Sequence, residues 1–293
     1  MDVFIIDAVH GHEASESCLG NLERYELVAD LIRAGKGAGF PPFSRDGDFL
    51  QVHRLEDLIQ FRGKPDEDHL NIFTARMLLL LESHCLVGQA AYVRCIEAVV
   101  DRYWVEDDET HDFRPTMLIN DIVRYWKTLC LSYEGWRRQL GRPLEPDEKI
   151  DLLKLKFNRL WLCFVGLSYL LLGDEQIDFP RAHALRLVNL TPMQRMTEIG
   201  DCAFQRDAER SGGARADLDE KSRLLSSLLA TLFDHYAWWF GHTAPTKEEQ
   251  ENWIAEDGNY QEASGRARCF GEDMWRLVML LGDRVNLTRY LLV

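Results

Sequence analysis

The stretch Leu160-Trp-Leu-Cys-Phe-Val-Gly-Leu-Ser-Tyr-Leu-Leu-Leu172 is the longest apolar run of the chain. It has 13 residues, two of them Gly166 and Ser168, and falls short of the ~20 that a helix needs to cross a bilayer. We therefore predict that residues 148–172 form one long helix and that its apolar part is buried in a protein core. A membrane is not expected among the partners of this chain.

Helical patterns fill nearly all of the chain after about residue 67. Asp68 and Thr116 provide capping side chains, and Thr191-Pro192 places a cap directly before a proline in the first turn. Residues 141–146 contain glycine and two prolines and predict a loop. The predicted helices cover residues 68–83, 90–104, 116–133, 148–172, 218–240 and 265–281, with a further helix starting at Thr191.

Strand signals occur at the beginning of the chain. Met1–Asp7 contains a continuous apolar run bounded by acids, which predicts a buried strand, and residues 49–53 predict a second one. Apolar residues at three-residue steps from Leu19 to Leu31 predict a helix between them. The expected fold is mainly α: a small α/β remnant (residues 1–66), followed by an α-helical bundle (residues 67–293). Because two strands alone make no stable sheet, we expect a third strand, a longer parent protein or covering helices.

Composition limits the classes of function. The formal net charge of −14 disfavours bulk binding of nucleic acid, whose phosphates the surface as a whole should repel. Seven scattered cysteines form no Cys-x-x-Cys pair, which favours free thiols in a reducing cytosol. Acids stand where a signal peptide needs a basic end, so we expect a cytoplasmic protein.

Two polar clusters interrupt the apolar helical pattern. Asn120, Asp121 and Arg124 share one face of a predicted helix with Thr128, which indicates either a hydrogen-bonded pocket or a simple Asp121–Arg124 ion pair. In the next helix, Lys154, Lys156 and Arg159 form a cationic stripe. Such a stripe suits triphosphate oxygens, and the alternative is a solvated helix face.

The opening strand resembles part of a known catalytic motif. Asp2 leads into a hydrophobic strand, as the second carboxylate of Asp-x-Asp does in nucleotidyltransferases of the DNA polymerase beta superfamily. Met1 takes the middle position, and the Gly-Ser turn and first Asp are absent because the chain begins too late to contain them. Asp46 and Asp48 flank the second strand, near the place of the family's third carboxylate. The strand itself, residues 49–53, contains no acid, which is a departure from the family pattern.

Later segments extend the resemblance to about residue 172. Residues 73–83 look like the helix that follows the catalytic domain in bacterial nucleotidyltransferases related to the regulatory-protein uridylyltransferase. The two polar clusters look like the substrate-binding helical region of that group. The resemblance implies Mg²⁺ held by Asp2, a catalytic role for Asp2 and Asp48, and substrate binding by Asn120, Asp121, Arg124, Lys154, Lys156 and Arg159.

Three functional hypotheses follow. The first is Mg²⁺-dependent transfer of a nucleoside monophosphate from a nucleoside triphosphate to an acceptor of unknown identity, with a protein among the candidates. If Met1 is the native start, the missing carboxylate predicts very low activity. The second is a non-catalytic regulatory module that binds a nucleotide or a protein. The third is a helical interaction protein without any nucleotide.

Overall fold

The computed structural model of the protein describes residues 3–7, 19–40, 43, 47, 50–60, 71–104, 115–172, 181–202 and 215–284. Within these ranges the chain is mainly helical and contains one two-stranded parallel sheet, which confirms the predicted fold class. The chain divides into two compact units, Met1–Arg102 and Tyr103–Val293. The predicted domain boundary after residue 66 stays a prediction.

The sheet belongs to the first unit. Strands β1 (Ile5–Asp7) and β2 (Val52–Arg54) run parallel with Ile5 opposite Val52, and helix α1 (Asn21–Gly37) lies in the crossover between them. β2 begins later than the predicted residue 49. The reason is a turn in which the Leu50 N–H donates to the Gly47 carbonyl (2.9 Å) and Gly47 takes a φ of +88°. Along the chain follow α2 (Leu55–Ile59), α3 (Ile72–Leu81) and α4 (Gln89–Tyr103).

Helix α1 forms where the sequence predicts it, but its apolar residues do not make one buried face. Leu22 and Tyr25 are 77% and 74% exposed. Val28 and Leu31, further along the helix, are half-buried. The three-residue spacing therefore located the helix correctly, while it could not show which turns are covered.

Helices are the only regular secondary structure in the described residues of the second unit. Helix α5 (Thr116–Leu140) runs past the predicted end at residue 133 and stops at Gly141, whose φ of +61° suits a residue without a side chain. Two of the helices, residues 181–189 and 247–255, were not predicted from the sequence. The elements after α5 are α6 (Pro146–Lys154), a π-helical segment (Leu155–Arg159), α7 (Leu160–Leu170), α8 (Arg181–Asn189), α9 (Pro192–Cys202), α10 (Arg215–Thr243), α11 (Lys247–Ala255) and α12 (Asp257–Arg284).

The long helix predicted over residues 148–172 is a composite of α6, the π segment and α7. In the π segment the Leu160 N–H donates to the Leu155 carbonyl, five residues earlier, instead of four. Helix α7 is the buried core helix expected from its apolar run, and it packs against α5, α9 and α12. Each of its fully buried leucines contributes about 1.5–3 kcal/mol through the hydrophobic effect.

None of the helices in the described ranges combines the length and the apolar character that a membrane crossing requires.

Candidate functional site

The predicted catalytic carboxylates Asp2 and Asp48, and the turn residue Asp46, lie outside the described residues. In the described part of the sheet, Asp7 ends β1 and is buried (6% exposed), and its register partner on β2 is Arg54. The described strands therefore do not place two carboxylates opposite each other. Over the same described ranges, no group of three or more His, Cys, Asp or Glu side chains could hold a metal ion.

The polar cluster of α5 is engaged within the protein. The Tyr103 hydroxyl donates to Asp121 Oδ2 (2.7 Å), and Arg124 Nη1 lies 3.9 Å from Asp121 Oδ1. The Asn120 amide donates to the Thr116 carbonyl of its own helix (2.9 Å). The ion pair between Asp121 and Arg124 that the sequence offered as the simpler alternative is thus present. Substrate binding by these three residues stays a prediction.

The three cations of the predicted stripe lie in different surroundings: Lys154 ends α6, and Lys156 and Arg159 belong to the π segment. Lys154 is exposed and pairs with Asp151, with 3.3 Å between Nζ and Oδ1. Lys156 is half-buried and lines a cavity together with Leu160, which lies one turn later. Arg159 is half-buried and is not among the residues that line this cavity. The structure therefore separates three cations that the sequence presented as one group.

The cavity lies between the π segment and the first half of α12 and has a volume of about 630 Å³. Its wall combines polar and apolar residues with two glycines. A side chain added at Gly265 would find no atom within 4 Å of its Cβ, so the cavity is open above this glycine. The lining residues are Lys156, Leu160, Tyr260, Gln261, Ser264, Gly265, Ala267, Arg268 and Gly271.

The cavity is locally basic in a strongly acidic protein. Burial is the main reason that the pKa of Lys156 is lowered, and Arg137 lowers that pKa further, against the opposing effects of Glu134 and Cys130. Glu134 itself lies 3.8 Å from Arg137. Among the described residues, neither Lys156 nor Arg268 forms an ion pair or a hydrogen bond. Two cations thus face one cavity without a carboxylate partner there.

Aromatic side chains adjoin the basic wall. Lys149 Nζ lies 5.0 Å from the centre of the Tyr260 ring, which lines the cavity. The Tyr133 hydroxyl is buried and has no hydrogen-bond partner within the described part of the chain. Burial, and next the neighbouring Tyr260, raise the pKa of Tyr133 to about 12, so this hydroxyl keeps its proton at neutral pH.

The two clusters predicted from the sequence do not line the same cavity. Lys156 lies beside Cys130 and Glu134 of α5, whereas Asp121 lies nine residues before Cys130 on the same helix. At 1.5 Å per residue this corresponds to about 14 Å along the helix axis. Asn120, Asp121 and Arg124 thus lie outside the cavity that Lys156 lines, and a ligand-binding site shared by both clusters stays a prediction.

The α12 wall of the cavity was not predicted from the sequence. The last predicted helix starts at Gly265, eight residues after the observed start at Asp257, and so leaves out Tyr260, Gln261 and Ser264. The available signal was the pattern Gln261-x-x-Ser264-x-x-x-Arg268, which places polar residues on one helical face around a glycine.

No protein-family model, curated protein or solved structure matches this chain. The residues and their geometry therefore carry the functional argument alone.

Proposed function

We propose that the helical unit binds a nucleoside phosphate, of the triphosphate class, in the cavity between the π segment and α12. The observation that carries this proposal is the pair Lys156 and Arg268, which line the same cavity without an ion-pair partner among the described residues. Cations without a counter-ion attract phosphate oxygens, and arginine can donate to them in a bidentate manner. Because the chain carries a net charge of −14, an anionic ligand should be repelled by most of the surface and attracted to this positively charged cavity.

The remaining wall favours a nucleotide over inorganic phosphate. Ser264, Gln261 and the Tyr260 hydroxyl can donate to ribose or phosphate oxygens, while Leu160, Ala267 and the Tyr260 ring can cover an apolar base. The volume of about 630 Å³ lies within the range of about 300–1,000 Å³ that small-molecule sites occupy. This proposal corresponds to a non-catalytic nucleotide-binding module.

The experiment is a calorimetric titration of the full chain with ATP and GTP, each with and without Mg²⁺, and with inorganic triphosphate. Gly265→Leu should fill the cavity and abolish binding, because the added side chain points into open space. Gly241→Leu is the matched control, since Gly241 is an exposed helical glycine that also has no atom within 4 Å of an added Cβ. Both changes replace glycine by a better helix former, so neither should weaken its helix.

Saturable nucleotide binding that Gly265→Leu removes and Gly241→Leu keeps supports the proposal. Absence of binding by the wild-type chain overturns it, and so does equal binding by the two variants. Binding of inorganic triphosphate as tight as that of ATP would support an anion site and contradict the nucleoside part.

Nucleotidyl transfer is the second function that we propose. The observation that favours it is the parallel register of β1 and β2, with Ile5 opposite Val52, which puts the amino ends of the two strands at the same edge of the sheet. Under this proposal Mg²⁺ would be held at Asp2, with Asp48 in a catalytic role, and a protein is one candidate acceptor. Its setting would be the cytoplasm, in agreement with the free thiols of the six described cysteines.

The second function is tested by incubating the full chain with labelled nucleoside triphosphate, Mg²⁺ and a protein extract as the source of acceptor, and by measuring incorporation of the label. Incorporation that is lost in Asp2→Asn and Asp48→Asn supports transfer. Nucleotide binding without incorporation overturns transfer and leaves the binding module.

A further inference from the structure

The π segment is fixed to α10 by two adjacent residues. Asn158 Oδ1 accepts a hydrogen bond from the Trp239 indole N–H (2.7 Å). Phe157 stacks on the same indole, with ring centres 4.9 Å apart and an angle of 7° between the planes. Trp239 is only 1% exposed, so its N–H would otherwise be buried without a partner.

These two contacts define the rotation of the segment about its axis. Successive residues of a helix point in different directions, so a segment whose residues 157 and 158 both hold Trp239 has its residue 156 fixed as well. In this orientation of the segment, Lys156 faces the cavity, which it lines together with Leu160. The stacking contact is apolar and tolerates sliding, whereas the hydrogen bond is directional.

The π geometry makes this attachment important. A π turn contains one residue more than the α-helical turn it replaces, is rare, and occurs frequently at functional sites. Without a directional contact the extra residue could move along the helix and carry Lys156 away from the cavity. The side chain of Lys156 also carries a charge into a half-buried position, which favours its escape to solvent.

We propose that Asn158 is a positioning residue: its hydrogen bond to Trp239 fixes the π segment so that Lys156 faces the cavity. The inference rests on the proposed function of this cavity as an anion site. It predicts that Asn158 controls both the solvent exposure of Lys156 and the affinity for triphosphate without touching the ligand.

The test compares the wild-type chain with Asn158→Leu, which removes the acceptor at similar size, and with Trp239→Phe, which removes the donor and keeps a ring for Phe157. Asn189→Leu serves as the control, because Asn189 is another exposed helical asparagine, and its side chain bonds, among the described residues, only to the Leu185 carbonyl of its own helix (2.8 Å). The first measurement is the rate of Lys156 acylation as a function of pH, resolved by mass spectrometry, without ligand. The second is the Kd for inorganic triphosphate.

In Asn158→Leu and in Trp239→Phe, the midpoint of Lys156 acylation should move to higher pH, because a lysine released from burial regains its ordinary pKa. The Kd should rise about tenfold, the effect expected from one misplaced charged donor. The double variant should be no worse than either single variant, since both remove the same hydrogen bond. Asn189→Leu should leave both measurements unchanged.

A lower melting temperature with an unchanged acylation midpoint and Kd would overturn the proposal and make Asn158 merely structural. The acylation measurement needs no ligand, so it still decides the positioning role if the wild-type chain fails to bind triphosphate. In that case the proposed function fails by itself.

Discussion

The first turns of α5 and the π segment present similar polar residues on otherwise apolar helices, yet the fold treats them differently. At α5, Asp121 accepts a hydrogen bond from Tyr103 and lies near Arg124, so its charge is neutralised inside the protein. In the π segment, Lys156 is half-buried beside a cavity and forms no ion pair with any described residue. The comparison separates polar groups that the fold itself satisfies from groups that remain available to a ligand.

The physical difference lies in the cost of burial. A carboxylate with a hydrogen-bond donor and a nearby cation regains much of the solvation that it loses. A half-buried ammonium without an ion partner does not, and its lowered pKa records that cost. An anionic ligand at Lys156 would supply the missing partner.

The largest expected effect is on ligand affinity when Lys156 is replaced. Lys156→Met should raise the Kd for triphosphate about 100-fold, because a charged hydrogen bond contributes about 1.5–3 kcal/mol. Lys154→Met is the matched control, since Lys154 lies two residues away, is exposed and already pairs with Asp151. Calorimetric titration of both variants gives the two values.

Urea unfolding of the same variants sharpens the comparison. Lys156→Met should be at least as stable as the wild-type chain, because it removes a half-buried charge and keeps the apolar stem. If Lys156→Met and Lys154→Met lost affinity for triphosphate equally, the distinction between the available Lys156 and the solvated Lys154 would be contradicted.

The next effect compares two tyrosine hydroxyls in the same unit. Tyr103→Phe should lower the free energy of unfolding by about 1.5 kcal/mol, because it removes a hydrogen bond to the charged, largely buried Asp121. Tyr133→Phe should change it by less than about 0.5 kcal/mol or raise it, because the hydroxyl that it removes has no described partner.

The midpoint of urea unfolding at constant slope measures both changes. A loss in Tyr133→Phe as large as that in Tyr103→Phe would show that Tyr133 is satisfied in the folded protein, and the comparison between engaged and available groups would not extend to it.

The smallest effect concerns pH. The folded-state pKa of Lys156 lies below its unfolded value, so the unfolded chain binds more protons between the two pKa values. The cost of burying the charged ammonium is fully present below the folded pKa. It disappears as the pH rises through that pKa towards 10.5. As the pH rises over this range, the free energy of unfolding of the wild-type chain should therefore increase relative to that of Lys156→Met.

Affinity for triphosphate should change in the opposite direction, since deprotonated lysine no longer attracts phosphate. Parallel pH series of urea unfolding and calorimetric titration measure the two trends. If the difference in stability between wild-type and Lys156→Met chains did not depend on pH, the burial of Lys156 would be contradicted.

Part of this architecture was predictable because its signals are local. The apolar run of α7 and the Thr191-Pro192 start of α9 gave the right helices. Helix α11 could have been found, since Thr246 accepts from the Glu249 N–H while Glu249 accepts from the Thr246 N–H, which is a capping box. The π segment could not, because Leu153, Phe157 and Trp161 follow one another at the four-residue steps of an ordinary α-helix.

The candidate site was predictable only in part. Lys156 stood out as a cation within an apolar helix, but Lys154 and Arg159 stood out equally. Nothing in their spacing shows that α12 supplies Arg268 and Ser264 to the same cavity, 112 and 108 residues further along the chain. Asp121 gave the same sequence signal as a binding residue, although Tyr103 already engages it.

The sequence by itself determined that this chain is mainly helical and where most of its helices run, because periodicity and capping act between residues a few positions apart. The tertiary structure decided which polar side chains find partners and which face a cavity, because those partners come from other helices. Hydrogen bonds such as that between Asn158 and Trp239 join residues 81 positions apart, and no local pattern encodes them.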